Sequence, residues 1–307
     1  MKNFEQTNNE IEIPAAMKEK IDIYKVYNNF KDIEPFYVGA CLAGLDTTEA
    51  WEVREYLLSH DQNGDGKRGV VQGLAGIRTN KAYQLRNELL VFAPESAARG
   101  LAGDDSEEAW AIREKIKSNY LDKPGVKEGL ADSLAGLKND RAWQLRDELK
   151  DQVLFNVFEG LVGVDDEKSW ELRNKYQELM MPSVANSLIG LSGKKVDVLR
   201  QEYFTKGEDG DLALLISYIG DDSPEAWALR NKFIDENPFI VGTSLVGIKN
   251  EKADKMRNIL LEKINTLQKE EVVNKDKTEK VRKGLLQGLN SNYIFEALKM
   301  VKKLKLV

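Results

Sequence analysis

A single histidine, His60, and a single cysteine, Cys41, leave this 307-residue chain with little of the usual raw material of catalysis or metal binding. One cysteine excludes a disulfide framework, and the pair excludes a multi-histidine zinc site. Cys41 occupies a small position of a repeat described below, so it is expected to be a packed thiol. No apolar run approaches the roughly 18 residues of a transmembrane span. The opening stretch Met1-Lys2-Asn3-Phe4-Glu5-Gln6 carries no apolar core of a signal peptide, and the expectation is a cytoplasmic protein. Strand-like alternation is absent, as are the glycine-rich phosphate loops that follow strands. Net charge is −6 and the pI is about 5.3, which weighs against a polyanion as the main partner.

What the chain has in abundance is itself. Ser133-Leu134-Ala135-Gly136, followed by Ala142-Trp143-Gln144-Leu145-Arg146, returns as Leu161-Val162-Gly163 with Ser169-Trp170-Glu171-Leu172-Arg173. With the glycine as register zero, copies start at Gly44, Gly76, Gly103, Gly136, Gly163, Gly190, Gly220 and Gly247, and a degraded ninth at Gly288. Self-similarity at this period signals a stacked repeat array.

Each register has a physical task. Register +3 holds Thr47, Thr79, Ser106, Asn139, Asp166, Gly193, Ser223, Asn250 and Ser291. All but the glycine can cap a helix by accepting its first-turn amides. A helix A is therefore predicted after every cap, and the register-zero glycine ends the preceding helix B with positive φ. Along helix A, register +6 is small (Ala50, Ala82, Ala109, Ala142), +9 aliphatic and +13 large and apolar. At 100° per residue these form one stripe, so the helices must stack to bury it.

The fold expected is all-α: a right-handed α-solenoid of about nine short antiparallel helix pairs, running as one continuous domain over 1–307. Residues 1–44 read as an N-terminal cap unit whose first helix opens at Pro14, 45–288 as helix-pair repeats, and 289–307 as a C-terminal capping helix. Longer units insert at the A–B corner, at residues 60–67, 119–125 and 206–211. The largest insertion, 262–283, either lengthens both helices or forms a hairpin. In period and helix-pair logic the chain is similar to HEAT and armadillo repeat proteins. That resemblance implies a curved superhelix with one helix layer concave, and it leaves open which layer that is.

Three features could carry function. Register +10 is arginine in eight copies: Arg54, Arg86, Arg113, Arg146, Arg173, Arg200, Arg230 and Arg257. It falls at the edge of the apolar stripe, about 40° from +6, so each guanidinium is expected to stay at the helix interface and donate to carbonyls at a helix end. The competing reading is a ladder lining a groove for phosphate or carboxylate ligands. All five tryptophans sit at +7, where they either wedge between units or offer faces to bases or a peptide. Residues 61–67 resemble the first half of an EF-hand-type or dockerin-like calcium loop, with Asp61, Asn63 and Asp65 as candidate ligands. Gln72 stands where the closing glutamate belongs, and a solvated turn is the plainer reading. Carboxylates are plentiful, and none forms a pair that stands out from solvated helix faces. The function expected is a non-enzymatic scaffold or adaptor binding a protein or peptide segment along the superhelix. The alternative is a nucleic-acid binder using the Arg and Trp registers.

Overall fold

The computed structural model describes residues 22–269 and 275–289. These residues form eighteen helices and no strand, so the described part of the chain is all-α. The odd-numbered, A-type helices are α1 (Ile23–Phe30), α3 (Thr48–Ser59), α5 (Asn80–Leu89), α7 (Glu107–Tyr120), α9 (Asp140–Leu149), α11 (Glu167–Tyr176), α13 (Lys194–Phe204), α15 (Pro224–Phe233) and α17 (Glu251–Lys269). The even-numbered, B-type helices are α2 (Pro35–Ala40), α4 (Asp65–Gln72), α6 (Pro94–Arg99), α8 (Val126–Asp132), α10 (Leu154–Glu159), α12 (Met181–Ser187), α14 (Glu208–Ser217), α16 (Pro238–Ser244) and α18 (Lys275–Leu289). None of the described helices is long and apolar enough to cross a membrane.

The local chemistry follows the repeat. Thr47, Thr79, Ser106, Asn139, Asp166 and Ser223 each accept the amide of the third residue of the helix that follows. The register-zero glycines from Gly44 to Gly247 all take φ between 70° and 80°, the left-handed turn that lets helix B reverse into helix A. The small +6 residues are completely buried at Ala50, Ala82, Ala109, Ala142, Ala226 and Ala253.

Each B helix packs on the next B helix, from α2 to α4 and onward to α16 and α18. Helix α18 then packs on α2 and α1, so the order of contacts is cyclic. Arg282 on α18 closes the cycle by donating from Nε and Nη2 to Glu34 Oε1, at 3.0 and 2.6 Å, just before α2. The expected superhelix would carry its ends past one another. Here the last described helix, α18, instead meets the first two. The B layer is the inner one, a point the sequence left open.

The B helices can pack this tightly because their backbones touch. A Cβ on Gly73 would lie 1.9 Å from the Gly39 carbonyl oxygen of the preceding B helix. Gly288 stands in the same relation to Gly242, also at 1.9 Å, and this corrects the sequence register. Gly284-Leu285-Leu286-Gln287-Gly288 aligns with Gly69-Val70-Val71-Gln72-Gly73, so Gly288 is register −3 and not register zero. Helix α1 is capped by Asp22 and begins at Ile23, and the expected opening at Pro14 lies outside the described residues. The 206–211 insertion is mostly helical, extending α14 at its start, and the 262–283 insertion lengthens both α17 and α18. The expected capping helix over 289–307 falls outside the described residues, apart from Leu289 at the end of α18.

Candidate functional site

The arginines of register +10 point inward to helix ends. Arg146 Nη2 donates to the carbonyls of Leu134, Leu137 and Gly160, at 2.8, 2.9 and 2.8 Å. The first two flank the turn before its own helix, and the third lies near the end of the next B helix. Arg54, Arg86, Arg113, Arg173, Arg230 and Arg257 repeat this three-way pattern. Arg200 departs from it, donating to the carbonyl and hydroxyl oxygens of Ser217 and lying 3.8 Å from the Asp221 carboxylate. In the first pair Tyr27 takes over, its hydroxyl donating to the Cys41 carbonyl at 3.1 Å.

Aside from Arg200, these guanidiniums are at most 5 % exposed. Burial pulls Arg146 down to about 9 and Arg113 to about 10, which still leaves both charged at neutral pH. Where register −3 of the next unit is serine, its hydroxyl also takes the arginine Nε, as Ser133 does for Arg113, Ser187 for Arg173 and Ser244 for Arg230. Where that register is Gly73, Gly100 or Gly160, the Nε of Arg54, Arg86 or Arg146 has no partner.

The tryptophans serve the same joints. Each ring lies under the guanidinium of its own helix, 4.7–4.9 Å from the centroid. Trp51, Trp110, Trp170 and Trp227 donate their indole N–H to Asp46, Asp105, Asp165 and Asp222, all at register +2. Trp143 reaches Asp166 of the next unit.

In the candidate calcium loop, the Asp61 side chain is buried and its carboxylate accepts the amides of Gly64, Gly66 and Lys67 at the start of α4. Asn63 and Asp65 hydrogen-bond one another. The three side chains are therefore hydrogen-bonded within the turn that starts α4. Cys41 is buried, and burial pushes its thiol well up.

The site that sequence reasoning missed lies inside the ring. Register −4 of helix B faces the centre and reads Ala40, Gln72, Arg99, Asp132, Glu159, Asn186, Ile216, Thr243 and Gln287. Seven of these nine line one cavity of about 360 Å³, joined by Phe36, Tyr37, Phe155, Pro182, Phe239 and Ile240 nearer the helix starts. The other two, Arg99 and Asp132, form the wall beside Glu159. Arg99 Nε donates to Asp132 Oδ2 at 2.8 Å, and Asn156 Nδ2 donates to Asp132 Oδ1 at 3.0 Å. Glu159 hydrogen-bonds Asp132, and burial together with the Asp132 charge raises its carboxyl to about 9. Burial likewise raises Asp132, against the pull of Arg99. One guanidinium beside two buried carboxyls favours the protonated form of one of them. Across the cavity Thr243 donates to Gln287 Oε1 at 2.7 Å, while Gln72 Oε1 and Asn186 Nδ2 have no partner. The signal was present in the sequence, as a mostly polar column inside an otherwise apolar helix.

Among known proteins, no family model, no curated protein and no solved structure matches this chain.

Proposed function

We propose that the chain is a non-enzymatic helical-repeat scaffold, HEAT-like in its pair logic but closed into a ring, which seats a polypeptide segment in its central cavity. The observation that carries this reading is the pair of buried amide atoms, Gln72 Oε1 and Asn186 Nδ2, that line the cavity without a partner. An unpaired buried polar atom costs about 1–3 kcal/mol, and a ligand carrying both an N–H and a C=O relieves both. The peptide group is such a ligand. Phe36, Phe155 and Phe239 on the same lining supply apolar surface for its side chains. The nucleic-acid alternative rests on arginines and tryptophans that the helix ends and aspartates already occupy, which favours the peptide reading.

Panning a random peptide library against the intact protein and against Ile216→Trp tests the proposal. Residue 216 lines the cavity, and an indole there would fill it. Peptides enriched on the wild type are expected to lose binding to the filled variant. Peptides that bind both equally would place recognition on the outer surface.

A further inference from the structure

Resting on that reading, we infer that the cavity selects a segment bearing a basic side chain, whose ammonium or guanidinium docks on Glu159. Glu159 is the one acidic or basic side chain among the residues lining the cavity. Its neighbours already have their complements: Asp132 holds Arg99 and Asn156, and Asn156 lies within 3.5 Å of Glu159 Oε2. On α8, Asp132 faces Glu159; on α6, Arg99 does so from beyond Asp132; α12, packed on the other side, offers no charged residue over Met181–Ser187. One carboxyl of the three-group cluster is therefore in surplus, and the lining holds no cation to answer it.

The second observation is independent of the acidic pair. Gln72 is 6 % exposed, and its unpartnered Oε1 lines the same cavity. The amide oxygen accepts, as Glu159 does once ionised, so the two suit a cationic donor, while the unpartnered Asn186 Nδ2 is left for a peptide carbonyl. A lysine side chain meets that demand with an apolar stem for Phe155 and Ile240 and three N–H donors at its tip. On binding, Glu159 gives its proton to solvent and becomes the carboxylate partner of the ammonium. Affinity should therefore rise with pH from 6 to about 9, where Glu159 ionises unaided.

The test is calorimetry on the full chain with two capped pentapeptides, Ala-Ala-Lys-Ala-Ala and its analogue with norleucine at the centre, in two buffers of different ionisation heat. The lysine peptide is expected to bind at least about tenfold more tightly, a gap of about 1.4 kcal/mol, and to release a proton. In Glu159→Gln, which replaces a protonated carboxyl by a neutral amide, the advantage should shrink to within about threefold and proton release should vanish. A thermal melt of that variant matching wild type at pH 6 shows that the loss is not one of folding. Equal binding of the two peptides to wild type, or an undiminished lysine advantage in Glu159→Gln, overturns the inference while leaving peptide binding in place. Binding of neither peptide overturns both readings.

Discussion

Arg146 shows what one residue does in this molecule. Its side chain replaces the partners that the last carbonyls of a helix lack, and it does so for two units at once. Arg146→Ala leaves three buried carbonyls short of a donor and is expected to cost on the order of 1–3 kcal/mol. Arg146→Lys should recover little, because an ammonium cannot span the turn and the neighbouring helix with one planar fork. Arg200→Ala is the internal control. That guanidinium is only partly buried and reaches one backbone carbonyl, that of Ser217, beside a part-exposed ion pair with Asp221, so its loss should cost clearly less. Thermal unfolding of the three variants beside wild type checks the order, and equal losses for Arg146→Ala and Arg200→Ala would sink the explanation. Glu159 gives the residue scale its pH dependence. Its folded carboxyl titrates near 9 and its unfolded one near 4.3, so between these values the folded state holds a proton that the unfolded state has lost. Its contribution is therefore full below about pH 4.3 and fades as pH rises toward 9. Denaturant midpoints across that window should fall with pH in wild type and fall less steeply in Glu159→Gln.

The element scale turns on how close two B helices may come. Gly73 and Ser133 share register −3, yet they face different demands. The Gly73 backbone lies against the Gly39 carbonyl, while Ser133 has room for a hydroxyl that donates to the Leu130 carbonyl and accepts from Arg113. Gly73→Ala forces the α2–α4 contact apart and is expected to cost about 1–3 kcal/mol by overpacking. Ser133→Ala loses hydrogen bonds without a clash, at about 1 kcal/mol. Urea unfolding distinguishes them, and a Gly73→Ala variant as stable as wild type would show that the helices can slide. Much of this element logic was legible from the sequence. Caps such as Asn139, the left-handed Gly136 and the buried +6 alanines are local chemistry, repeated often enough to be read in register. The arginine donors could be placed by angle, since +10 lies only about 40° from the buried +6 position. Register −4 went unread because a polar residue on a short helix looks the same whether it faces solvent or a shared cavity. The Gly288 register slipped by three because Gly284 and Gly288 both stand in the last unit, and only their approach to Phe239 and Gly242 distinguishes them.

At the scale of the whole molecule, closure depends on a sum that no single repeat contains. A small change in the angle between successive pairs would separate α18 from α2 and leave an open superhelix built from the same contacts. The cavity exists only if that sum brings the ends together, because its lining draws on α2, α16 and α18 as well as on α10 and α12. The measurement that tests closure most directly is pulsed dipolar spectroscopy on spin-label pairs in a Cys41→Ala background. One pair, Ile33→Cys with Lys277→Cys, joins exposed positions of the first and ninth units; the other, Ile33→Cys with Gln152→Cys, joins the first and fifth. A closed ring predicts a narrow first-to-ninth distance that is shorter than the first-to-fifth distance. A first-to-ninth distance longer than the first-to-fifth would mean an open array, and would contradict the ring and the cavity within it.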